Sequence, residues 1–123
     1  MNKVIITGQN LTLEELVAVS RNDVQVELSE EAKENISESR KVVEDLVESN
    51  AVVYGITTGF GKFSDVSISQ DECKKLQRNL IITHSVGAGE PFSRDVARGI
   101  MLLRINSLAK GFSGVRIEVV ETL

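Results

Sequence analysis

The chain has 123 residues, 41% hydrophobic and 26% charged, with nine glycines and one proline; this suits a single folded domain and excludes a disordered, collagen-like or low-complexity polypeptide. No apolar run approaches the roughly 18 residues of a membrane span, Met1 is not followed by a secretory signal pattern, and one cysteine, Cys73, cannot form an internal disulfide, so a cytoplasmic protein is expected. The net charge of −4 hides an asymmetry, 11 acidic against 5 basic side chains in residues 1–50 and 7 against 9 in residues 51–123, and neither half is basic enough for nucleic-acid binding by charge alone.

Lys3 to Thr7 is a β-favouring run closed by Gly8. Thr12-Leu13-Glu14-Glu15 has the spacing of a capping box, with Leu11 and Leu16 as its hydrophobic staple, and opens a short helix ending near Ser20 to Asp23. Val24, Val26 and Leu28 alternate with Gln25 and Glu27, a half-buried strand expected to pair with residues 3–7 in a minor two-stranded ribbon. Ser29-Glu30-Glu31 starts a longer helix, reaching about Asn50, with its acids where the helix dipole favours them. Its apolar stripe is Ile36, Val42, Val43, Leu46 and Val47; Lys33, Glu34, Glu38, Lys41, Asp45 and Glu48 read as a solvated face.

Residues 54–64 hold three glycines and no period, which makes them a loop. Ser69-Gln70-Asp71-Glu72 is a second capping box, with Ile68 and Cys73 at the staple positions; its helix is expected to reach Val86 and stop at Gly87. Ser93 is expected to cap a further helix whose apolar side carries Val96, Ala97, Ile100, Met101, Leu103 and Leu108, stopped at Lys110-Gly111. Ser113 is expected to cap a last helix with Val115, Val119, Val120 and Leu123. That helix meets the chain end in mid-pattern, without a stop signal, so a fragment of a longer, mainly helical protein is expected.

Few residues carry chemistry. Gly55, Gly59 and Gly61 fit neither the dinucleotide fingerprint nor the phosphate-binding loop, since five residues separate Gly55 from Gly61 and Phe63 follows Lys62. They give backbone freedom, for an ordinary loop or for one that closes on a ligand. His84, the sole histidine, follows Leu80 by four and Leu76 by eight, which predicts an inward-facing ring: a hydrogen-bonded core histidine or a site residue. No second His or Cys stands at metal-ligand spacing from it, and no metal is expected. Cys73, eleven residues upstream, reads as an inert buried thiol. Tyr54 is either a ring packed where a helix turns into a loop or a base, and a base would need activation by its surroundings.

Three blocks in order nevertheless resemble the aromatic amino acid ammonia-lyase family: Val53-Tyr54-Gly55-Ile56-Thr57-Thr58-Gly59-Phe60-Gly61, then Leu76-Gln77-Arg78-Asn79-Leu80 running on to His84-Ser85-Val86-Gly87-Ala88-Gly89, then Arg104 to Arg116. The resemblance spans residues 24–123. It implies a mainly α N-terminal domain or fragment (1–123) of a longer lyase, with the two-stranded ribbon and an active-site loop at about 53–64. It implies non-oxidative removal of ammonia from an amino acid, through a methylidene-imidazolone electrophile made from an internal Ala-Ser-Gly, in a homotetramer. The substrate amine attacks that electrophile and a base removes the β-proton. Tyr54 matches the catalytic tyrosine, and Gly55, Gly59, Phe60 and Gly61 its closing loop. Thr83 and His84 match the substrate-selectivity pair; a small polar residue followed by His implies L-histidine, deaminated to trans-urocanate, and Thr stands where Ser is usual.

One departure is large. The six alanines (18, 32, 51, 88, 97, 109) are followed by Val, Lys, Val, Gly, Arg and Lys, so no Ala-Ser-Gly occurs. These residues alone are therefore expected to be inactive. Two other readings stay open: a different aromatic ammonia-lyase or aminomutase, and a non-catalytic helical binding or regulatory module.

Overall fold

The computed structural model describes residues 2–59, 62 and 66–123. The elements run β1 (Lys3–Ile6), α1 (Leu13–Asn22), β2 (Gln25–Leu28), α2 (Glu30–Glu48), α3 (Gln70–His84), α4 (Arg94–Leu108) and α5 (Ile117–Thr122). Two compact units divide them: Met1–Lys41 with Pro91–Leu123, and Val42–Glu90. The chain is mainly α with one two-stranded sheet, as the sequence predicts.

In the first unit β1 and β2 pair in parallel, Lys3 opposite Gln25 and Ile6 opposite Leu28. Parallel strands need a crossover, and α1 supplies it. Alternation puts Val4 and Ile6 on the buried side while Lys3 reaches Glu27 across the ladder at 2.5 Å. Thr12 caps α1 by accepting from the Glu15 N–H at 3.2 Å, and the Glu15 carboxylate accepts from the Thr12 N–H at 2.9 Å, the expected reciprocal box. Helix α1 packs on α4. The core gathers Val4, Ile6, Val19, Leu28, Ala32, Ile36, Leu102, Ile105, Leu108, Ala109 and Val120, with Leu11 and Leu16 against it. It is wholly aliphatic, as a chain without Trp and with 4% aromatic residues requires.

Polar ties hold the segments around that core. Arg98 donates from Nε and Nη2 to the Val19 carbonyl at 3.1 and 3.0 Å, and Arg94 pairs with Asp23 at 2.6 Å. Ser39 accepts from the Gly114 N–H at 2.9 Å. Gly111 ends the α4 segment at φ +77, so close to Asn35 that an added Cβ would lie 2.6 Å from the Asn35 Cβ.

Five sequence expectations need correction. Of the apolar side expected for α4, Leu108 is buried, but Val96, Ile100, Met101 and Leu103 are exposed, and Leu102 and Ile105 are buried instead. Both sets recur at helical spacing, so periodicity offers two faces and tertiary packing selects one. In α2, Ile36 is buried but Val42 is exposed. Ser93 does sit at the N-cap of α4, yet its hydroxyl donates to Asp95 at 2.6 Å and accepts no helix N–H. Ser113 caps nothing: α5 begins at Ile117 with Arg116 at its N-cap. Helix α3, finally, ends at His84 rather than Val86, its C-cap at Ser85.

Candidate functional site

The residues singled out by the sequence lie in the second unit. After α2, Asn50 takes a left-handed conformation (φ 54), as Asn tolerates better than most residues, and the chain turns. Residues 54–57 form a tight turn in which the N–H groups of Ile56 and Thr57 donate to the Val53 carbonyl at 3.1 and 3.0 Å. Gly55 sits at φ +74, the left-handed region that glycine enters without a Cβ penalty.

Thr57 ties this turn together. Its hydroxyl accepts from the Val53 N–H at 2.9 Å and donates to the Ala51 carbonyl. Its own carbonyl accepts from the Ile68 N–H at 3.2 Å, and Thr58 forms an antiparallel bridge with Ser67. Both threonines are buried. Tyr54, by contrast, is 61% exposed, so the ring rides outside the hydrogen-bonded turn and is not packed into a core. Gly59 is buried at the loop's far end. Phe60 and Gly61, expected in the same loop, lie outside the described residues.

Helix α3 is set by the second capping box: Ser69 accepts from the Glu72 N–H at 3.3 Å, and the Glu72 carboxylate accepts from the Ser69 N–H at 3.1 Å and its hydroxyl at 3.0 Å. These bonds hold the Glu72 carboxyl below its ordinary value of 4.5. Cys73 is half-buried, its Sγ 3.6 Å from the Ile56 carbonyl, where it joins the helix start to the turn.

Thr83 and His84 close the helix, and the structure brings them together. The Thr83 hydroxyl lies 3.1 Å from His84 Nδ1 and donates to the Asn79 carbonyl at 2.9 Å. His84 Nδ1 lies 2.8 Å from the Leu80 carbonyl oxygen. The inward-facing ring expected from spacing is not found: Leu76 and Leu80 are half-buried, whereas His84 is exposed. The third residue of that stripe falls on the last helical position. Among the described residues, no three His, Cys, Asp or Glu side chains gather as metal ligands would.

Residues 11–123 match the family described as aromatic amino acid lyase. The chain belongs to that family. Over all 123 residues it is 57% identical to a histidine ammonia-lyase of Alkaliphilus oremlandii and 58% identical to one of Caldanaerobacter subterraneus, and in each case it spans 24% of the relative's length. Among solved lyase structures it resembles histidine ammonia-lyase from Trypanosoma cruzi, with 38% identity and a TM-score of 0.88 over 97% of this chain and 23% of that one. A tyrosine aminomutase is 34% identical with a TM-score of 0.90, over 98% of this chain and 23% of that one. The chain thus covers about a quarter of its lyase relatives.

Thr57 and Thr58 are the structural members of the site that residue-by-residue reading missed. Their signal was available: paired threonines beside a glycine in an aperiodic loop are able to bond backbone groups nearby.

Proposed function

We propose that these residues form the N-terminal portion of a cytoplasmic, homotetrameric histidine ammonia-lyase that deaminates L-histidine non-oxidatively to trans-urocanate and ammonia. The observation that carries this reading is the identity of 57–58% with histidine ammonia-lyases along the whole chain, together with the Thr83–His84 pair at the end of α3. A site built to bond a polar ring rejects a hydrocarbon ring strongly, because its own polar groups are then left unpaired.

In this reading Tyr54 is the base that takes the substrate β-proton. The turn tied by Thr57 carries this exposed ring, and Gly55 and Gly59 give the backbone freedom to bring that loop against substrate. His84 and Thr83 bind the substrate ring. The methylidene-imidazolone, where the family carries it, supplies the electrophile that accepts the substrate amine. This sequence contains no Ala-Ser-Gly to form it, so residues 1–123 by themselves are inactive. Ammonia release from L-histidine by a full-length protein bearing these residues, and none by residues 1–123, is the expected pair of results. A full-length protein that deaminates no aromatic amino acid would contradict the reading.

A further inference from the structure

The contacts of His84 decide which of its two ring nitrogens carries the proton. Nδ1 lies 2.8 Å from the Leu80 carbonyl oxygen, one turn earlier in α3. A carbonyl oxygen only accepts. An unprotonated Nδ1 in that place would set two lone pairs against each other at hydrogen-bond distance, so the proton belongs on Nδ1. The Thr83 hydroxyl does not reverse this. Its single hydrogen already has the carbonyls of Asn79 at 2.9 Å and Leu80 at 3.2 Å, which leaves its oxygen to face Nδ1 as a second acceptor.

In a neutral imidazole the nitrogen without the proton is an acceptor, and the bond made by one nitrogen fixes the role of the other. No side chain or backbone group among the described residues bonds Nε2, and His84 is exposed. We propose that the Leu80 carbonyl locks His84 as the Nδ1-protonated tautomer, so that Nε2 is a dedicated acceptor for the N–H of a substrate's imidazole ring. This rests on the histidine reading above and sharpens it: the site selects a ring that brings a hydrogen-bond donor. A phenyl ring would leave the Nε2 lone pair without a partner, the kind of mismatch that discriminates strongly.

In the full-length enzyme labelled with 15N-histidine, the His84 ring is the one whose signals disappear in His84→Gln. Nδ1 is expected to carry a directly bonded hydrogen and Nε2 to be pyridine-like, in the wild type and in Thr83→Val alike. A hydrogen on Nε2, the form an isolated imidazole side chain favours, would overturn the tautomer. A second measurement uses the full-length enzyme. His84→Gln places an amide oxygen near the position of Nε2, whereas His84→Asn reaches only that of Nδ1. The Gln variant is expected to keep kcat/KM for L-histidine within about 10-fold and the Asn variant to lose roughly 100-fold or more. An Asn variant as active as the Gln variant would overturn the acceptor role. If instead His84→Ala left kcat/KM for L-histidine unchanged, the acceptor role would fall; if the wild-type enzyme deaminated no L-histidine while its His84 ring carried the hydrogen on Nδ1, the histidine reading would fail and the tautomer would stand.

Discussion

The Thr57 hydroxyl accepts a hydrogen bond from the Val53 N–H at 2.9 Å, so one buried side chain closes the turn that carries Tyr54. Valine has the shape of threonine without the hydroxyl. Thr57→Val would therefore leave the Val53 N–H and the Ala51 carbonyl without this partner, at a cost of about 1–3 kcal/mol. Denaturant unfolding is expected to show that loss, and full-length enzyme carrying the change is expected to lose turnover because Tyr54 is no longer held. Thr57→Ser, which keeps the hydroxyl, is expected to behave nearly as the wild type. Equal effects of the two substitutions would remove the hydroxyl from this role.

Gly111 is the stop after α4, and two constraints coincide there. Its φ of +77 disfavours any side chain, and a Cβ would meet Asn35 at 2.6 Å, with Asn35 backbone atoms at 2.8 Å. The left-handed conformation alone costs a non-glycine residue about 1–2 kcal/mol. Gly111→Ala is expected to exceed that figure in thermal unfolding, because Asn35 and its backbone must also move. A melting temperature indistinguishable from wild type would show that the segment rearranges freely.

Acid is expected to loosen the start of α3. The bonds from Ser69 hold the Glu72 carboxyl below 4.5, so the ionised form favours the folded state. Its contribution is complete above the unfolded value and is lost as pH falls through the lower folded value. Amide exchange at Asp71 and Glu72, followed from about pH 5 downward, is expected to accelerate beyond the intrinsic pH trend of exchange. In Glu72→Gln, which cannot ionise, that extra acceleration is expected to vanish. Its persistence in the Gln variant would assign the effect to another group.

Tyr54→Phe removes one oxygen from an exposed ring outside the hydrophobic core, so the core is expected to stay intact. If the phenol oxygen takes the β-proton, turnover in the full-length enzyme falls by roughly 100- to 10,000-fold, the usual worth of a positioned acid–base group. Steady-state kinetics on L-histidine with both proteins measures it directly. Near-normal turnover would remove Tyr54 from the mechanism.

What could be read from the sequence divides by the range of the interactions. Both capping boxes, at Thr12–Glu15 and Ser69–Glu72, form as predicted, because three residues of sequence contain all the atoms involved. Gly111 as a stop is equally local. The Ser93 and Ser113 caps and the end of α3 were misread locally, whereas the misread buried faces required knowledge of what packs where. Helix α4 has apolar residues on two faces, and only β1, α1 and α2 determine that Leu102, Ile105 and Leu108 are buried while Val96, Ile100 and Leu103 are not. His84 failed in the same way, since helical spacing names a face but not its cover. At the candidate site, family resemblance named Tyr54, Gly55, Gly59, Thr83 and His84, and the roles given to them are proposals. The Thr57 clamp and the Leu80–His84 bond were not, because each joins a side chain to backbone that sequence pattern does not display.

Substrate discrimination by the full-length enzyme tests the central claim most directly. Urocanate formation from L-histidine, compared with cinnamate and coumarate formation from phenylalanine and tyrosine, gives three values of kcat/KM in one absorbance assay. L-Histidine is expected to lead both competitors by orders of magnitude, as a site that hydrogen-bonds its substrate ring requires. A kcat/KM for phenylalanine equal to or above that for L-histidine would contradict the role given to Thr83 and His84, and with it the assignment of histidine as the substrate.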